Sequence, residues 1–170
     1  VKGRNVFMGY YKDPDATKAA LDDDGWLYSG DLGAFSDDGF LTITGRKKDI
    51  IITAGGKNIA PKNIEAALME HPAISQAVVI GDRRKYLSAV VAIDPEKAAE
   101  KDNGLSAFES SIQEHIETVN ARFARVEHIR KFRILPRELD QENSELTPTL
   151  KIKRRAVHDN WADLIETMYE

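Results

Sequence analysis

Apolar positions change period twice along this chain, and each change marks a different kind of element. Up to about residue 45, short apolar runs are separated by glycine and aspartate turn signals, which predicts β-hairpins. Two stretches nearly repeat: Asp24-Gly25-Trp26-Leu27 and Asp38-Gly39-Phe40-Leu41. An Asp-Gly pair supplies the positive torsions of a tight turn, so both stretches are expected to start strands. Ile50 to Thr53 is a β-branched run, Gly55-Gly56 a turn, and Lys57 to Ile59 a return strand. Pro61 fits the first turn of a helix that carries Ile64, Ala67 and Leu68 on one face and ends before Pro72.

Gln76 to Ile80 and Leu87 to Ile93 then read as strands joined by the polar turn Gly81 to Tyr86, in a sheet covered on one face by helices. Ser106 and Glu109 have the spacing of a capping box. Behind them Phe108, Ile112, Ile116, Val119, Phe123 and Val126 recur at helical spacing, the longest amphipathic run in the chain. Lys131 to Leu135 predicts a strand and Pro136 to Pro148 a polar loop, while Val157, Trp161, Leu164, Ile165 and Met168 form the stripe of a closing helix. The expected fold class is α+β, with a hairpin and an antiparallel sheet flanked by helices, preceded by a β-rich piece.

The 170 residues, 42% hydrophobic and 31% charged, suffice for one good core with a smaller flanking piece. A net charge of −4 offers no general attraction to nucleic acid, so any anion site has to be local. The absence of cysteine excludes disulfides, a thiolate nucleophile and the usual cysteine zinc sites, and fits a reducing compartment. No apolar run reaches the length of a membrane span, and the first residues do not read as a signal peptide.

Some motif matches fail on inspection. Gly55-Gly56-Lys57 lacks the earlier glycine of a phosphate loop and has Asn58 where a hydroxyl is needed. A calcium loop counted from Ala20 has alanine as its first ligand and Asp31 as its last, where a bidentate glutamate belongs. His71, His115, His128 and His158 show no ligand spacing on one helix face.

Three runs remain: Tyr28-Ser29-Gly30-Asp31, the stretch GRKKDIIITAGGKNIAPKNIE from Gly45 to Glu65, and LTPTLKIKRR from Leu146 to Arg155. In this order and separation they resemble the C-terminal part of an AMP-forming acyl-CoA synthetase, most nearly a long-chain fatty-acid:CoA ligase. The resemblance spans the whole chain. It implies that residues 1–47 close the large adenylation domain, Gly3 to Tyr11 with Pro14 and Thr17 matching its final run, and that residues 48–170 are the mobile C-terminal domain. Because Val1 falls within a motif, a fragment is expected, with the phosphate loop, the magnesium-binding acid and the fatty-acid tunnel in the part that is missing.

The resemblance also assigns roles. Tyr28 and Asp31 belong to the nucleotide run, in which the aspartate accepts both ribose hydroxyls; a carboxylate suits a diol because it offers two acceptors and no competing donor. By itself Asp31 could simply end a strand. Arg46 is expected at the ribose and phosphate side, where a guanidinium holds oxygen acceptors in a fixed fork. Lys48 occupies the hinge position, where many relatives have aspartate and fatty-acid-activating members carry lysine. Gly55, Gly56 and Lys57 fall in the hairpin that lines the pantetheine channel, with Lys57 placed for a coenzyme A phosphate. Lys151 matches the catalytic lysine whose ammonium bridges carboxylate and α-phosphate. The family usually has glycine just before it; here stands Leu150.

The implied cofactors and substrates are ATP and AMP, coenzyme A, fatty acid and Mg2+, and the implied partner is the protein's own large N-terminal domain. The implied setting is cytoplasmic, free or peripheral at a membrane. The rivals are a fatty acyl-AMP ligase or another adenylating enzyme that loads a carrier protein, and a non-catalytic nucleotide-binding module.

Overall fold

A computed structural model describes residues 1–99 and 108–170, and the chain divides into two compact units, Val1–Lys48 and Asp49–Glu170. The Ser106 half of the expected capping box lies outside the described residues.

The first unit is less uniformly β than its turn signals imply. Pro14–Ala20 is a helix, α1, because the Asp13 carboxylate accepts the Ala16 amide at 2.9 Å and Pro14 has the torsion that the first helical turn needs. The Asp24-Gly25 turn forms, with Gly25 at φ 80°, but no strand follows it; Leu27 forms an isolated bridge to Leu21 and exchanges two hydrogen bonds with Val1. The reason is local competition. Asp22 captures the amides of Asp24 and Trp26 and the hydroxyl of Tyr28, so this segment gives two of its backbone donors to a side chain. The second Asp-Gly turn does open a strand: β1 (Asp31–Phe35) and β2 (Leu41–Arg46) pair antiparallel, with Asp31 opposite Arg46.

In the second unit β3 (Ile51–Ile52) and β4 (Asn58–Ile59) form the expected hairpin, and α2 (Pro61–Leu68) follows. The central sheet has the order β5 (Ile74–Ile80), β6 (Leu87–Ile93), β7 (Ile129–Ile134). β5 and β6 are antiparallel, as expected for two strands joined by a short turn. β7 adds parallel to β6, which requires the long crossover that contains α3 (Pro95–Ala99) and α4 (Glu109–Asn120).

Both faces of the sheet are covered, not one. Ala77, Val79, Ala89 and Val91 join a core with Ile64 and Leu68 of α2 and Ile112, Ile116 and Val119 of α4. The intervening Val78, Ile80, Val90 and Ala92 join a second core with Leu135, Leu139, Leu146, Val157, Ile165 and Met168. All seven residues of β6 are buried, which explains a run that never alternates with polar residues.

Two helical expectations were too long. α4 stops at Asn120, whose side chain turns to bond both backbone groups of Ile129; Val126 lies beyond it and is exposed. The closing helix is split at Trp161 into α5 (Arg154–Asn160) and α6 (Ala162–Glu166). Among the described residues no helix is long and apolar enough to cross a membrane.

Candidate functional site

Asp31 and Arg46 begin and end the β1–β2 hairpin and are register partners, so pairing alone brings them together. Nε of Arg46 lies 3.2 Å from Oδ1 of Asp31, and both side chains retain solvent access. Tyr28 has a different partner. Its hydroxyl donates to Asp22 at 2.9 Å, and that hydrogen bond, followed by the carboxylate's charge, pushes the phenol above its usual range. Asp22 is held below the usual carboxylate range, chiefly by the Trp26 amide.

Lys48 lies in a single 3-10 turn, Lys47–Asp49, exposed, at the boundary of the two compact units. The Gly55-Gly56 turn is exposed as well. Gly56 has φ +72°, a conformation that favours glycine; at Gly55 an added Cβ would meet only Thr53 Oγ1, at 3.9 Å. Lys57 follows on the exposed return, its amide bonded to Thr53 Oγ1. Sequence reasoning missed that this hairpin is joined to the Gly81–Tyr86 turn. The Ile52 amide donates to Asp82, the Arg83 amide to Ile52 O and the Ala54 amide to Arg84 O. Asp82 next to a glycine was the available signal.

Lys151 closes a tight turn. Leu146 bridges Ile152, the Thr147 amide donates to Lys151 O at 2.8 Å, and the Lys151 amide returns a bond to Thr147 Oγ1 at 3.0 Å. Within the turn Leu150 has φ 60°, a left-handed torsion that costs an L-residue with a side chain about 1–2 kcal/mol. Lys151 itself is exposed.

The segment expected to be a polar loop contains a fully buried carboxylate, Glu145. Arg137 grips both its oxygens at 2.7 and 3.0 Å, and the Trp161 indole, the Asn160 amide and the Asp140 backbone amide also donate to it. Burial pushes its carboxyl up, but Arg137, Asn160 and the Asp140 amide outweigh burial and leave it below the usual range. Arg137 also lies over the Trp161 ring at 5.0 Å. Nearby in sequence, Arg154 forms an ion pair with Glu65 of α2.

Two of the four histidines do meet. His71 and His115 are edge to face, with ring centroids 5.3 Å apart. Among the described residues there is no group of three or more histidines and carboxylates that could hold a metal ion.

The profile of the AMP-binding enzyme C-terminal domain matches residues 48–170. The chain is 45% identical over 99% of its length to long-chain-fatty-acid–CoA ligase FadD15 of Mycobacterium tuberculosis, and 40% identical over 99% to the ligase ACSBG1 of Rattus norvegicus. It spans about 30% and 28% of those relatives. Among solved structures, the adenylation domain of a carboxylate reductase from Mycobacterium chelonae superposes with a TM-score of 0.86 at 29% identity, covering 99% of this chain and 27% of that one. The corresponding domain from Segniliparus rugosus, in complex with AMP and a co-purified carboxylic acid, gives 0.83 at 28%, again covering 99% and 27%. With nearly three quarters of its residues matched by the profile, the chain belongs to the AMP-binding enzyme C-terminal domain family.

Proposed function

We propose that this chain is the C-terminal part of a long-chain fatty-acid:CoA ligase, which converts ATP, fatty acid and coenzyme A to acyl-CoA, AMP and pyrophosphate through an acyl-adenylate. The observation that carries the chemistry is the Asp31–Arg46 pair: a carboxylate with two acceptor oxygens beside a fork of donors, fixed by strand register. Asp31 would accept the ribose hydroxyls, and the terminal nitrogens of Arg46 would reach the ribose and phosphate oxygens. Tyr28, held by Asp22, would flank them.

Lys151 serves the first half-reaction. A fatty-acid carboxylate oxygen attacks the α-phosphorus, the bond to pyrophosphate breaks, and the ammonium stabilises charge shared by two anions that otherwise repel. In the second, the thiol sulfur attacks the acyl carbon, AMP departs with the bonding pair, and the thiol proton passes to solvent. Gly55, Gly56 and Lys57 would border the pantetheine there, Lys57 near a coenzyme A phosphate, after a rotation about Lys48. Mg2+ would neutralise phosphate charge; its ligands are assigned to the large N-terminal domain, the partner of residues 48–170, while residues 1–47 complete that domain. The setting proposed is cytoplasmic, free or peripheral at a membrane.

A second reading, transfer to a carrier protein, is favoured by the high TM-scores to adenylation domains of carboxylic acid reductases, one of them solved with its carrier domain. The 45% identity to a CoA ligase outweighs structural neighbours at 28–29%. The intact enzyme assayed with coenzyme A and with carrier protein separates the two. In it, Lys151→Ala should slow adenylation by about 10²- to 10³-fold and leave thioester formation from supplied acyl-adenylate intact. Unchanged adenylation would overturn the reading in favour of a nucleotide-binding module without turnover.

A further inference from the structure

Between the buried Glu145 and the exposed Lys151 lie five residues, and the backbone couples the two ends. The Glu145 carbonyl accepts the Lys153 amide at 2.7 Å, and the Glu145 amide donates to Asp140 O at 3.0 Å. Directly above, the Leu146–Ile152 bridge and the two Thr147–Lys151 bonds close the turn that holds Leu150 left-handed. Five donors converge on the Glu145 carboxylate, from Arg137 twice, Asp140, Asn160 and Trp161. That is more than a surface loop needs to stay folded. It fixes the base of a turn whose crown carries an unfavourable torsion, and strained torsions persist only where the surroundings over-determine them.

We propose that Glu145 is the positioning residue of the Lys151 turn: clamped by Arg137, Asn160 and Trp161, it holds the turn against the Leu150 torsion and so presents the Lys151 ammonium in one orientation. The inference rests on the reading of Lys151 as the adenylation lysine. Glu145 touches neither substrate nor reacting atoms. Its effect is therefore confined to the half-reaction that uses Lys151, whereas a mere fold staple would affect both halves alike.

The test uses the intact enzyme that contains this chain, with ATP–pyrophosphate exchange on a long-chain fatty acid for the first half-reaction and supplied acyl-adenylate plus coenzyme A for the second. Glu145→Gln should slow exchange about tenfold, the equivalent of the strain released, while the second half-reaction changes less than about twofold. Adding Leu150→Gly, which adopts the left-handed torsion without cost, should restore most of the exchange rate. Trp161→Phe, which removes one donor and keeps the ring, gives a smaller loss in the same direction; it carries the test if a thermal melt shows that Glu145→Gln fails to fold. Equal losses in both half-reactions, or a loss that Leu150→Gly does not recover, would overturn the proposal. If Lys151→Ala cripples exchange while neither Glu145→Gln nor Trp161→Phe alters it, the positioning role alone fails. If Lys151→Ala has no effect, the parent reading fails.

Discussion

Leu150 has a left-handed torsion and is 68% exposed, so it incurs the steric cost with little burial to offset it. Leu150→Gly removes that cost and adds back unfolded-state entropy, for a net gain on the order of 0.5 kcal/mol by urea denaturation. A loss of more than about 1 kcal/mol would mean the torsion is not strained. His71 presents a different case. Burial, then the nearby His115, holds its imidazole below the usual 6.5, and its Nδ1 must be unprotonated to accept the Ala73 amide. A depressed folded-state value means that the stability is present above 6.5 and is lost as pH falls through the folded value. The melting temperature should therefore drop as the buffer is taken below pH 6.5. His71→Asn, whose side-chain oxygen can accept the same amide, should flatten that dependence; an unchanged slope would show that His71 does not cause it.

At the scale of elements, β5 is an edge strand whose Val79 amide and carbonyl are taken up by side chains from two helices: Glu65 of α2 accepts the amide at 2.8 Å, and Arg154 of α5 donates to the carbonyl. Glu65→Ala should cost about 2–3 kcal/mol, because it strands both a buried amide and a half-buried guanidinium. A change under about 0.5 kcal/mol in denaturant titration would show that water replaces the pair. Such a link was illegible in the sequence, since Glu65 and Arg154 are 89 residues apart and a local run does not record which distant residue pairs with it. α2 was legible from Pro61 and the Ile64, Ala67, Leu68 face. α1 was not, although Asp13-Pro14 is a start signal; the surrounding Asp-Gly turns drew the reading toward strands. The break at Trp161 was hidden for a similar reason, as the apolar stripe runs through it unbroken while the indole turns to Glu145.

Over the whole molecule, every buried hydrophobic side chain among the described residues lies at or beyond Ile51. Residues 49–170 made alone should therefore unfold cooperatively with a midpoint within a few degrees of the full chain, and residues 1–48 should show no cooperative transition. A non-cooperative 49–170 fragment would contradict this. The candidates Asp31, Arg46 and Lys151 could be picked out because each stands in a local run. What stayed hidden was the support beneath the Lys151 turn. Five donors meeting at Glu145 come from four places in the chain, and periodicity records only which residues face inward.

Trp161 is one of only two tryptophans, and the other, Trp26, is exposed and lies in the other compact unit. Its indole stacks beneath a guanidinium and bonds a buried carboxylate. With Trp26 replaced by phenylalanine, the emission of this ring becomes an intrinsic optical gauge of the segment that carries Lys151, readable without a label or a substrate.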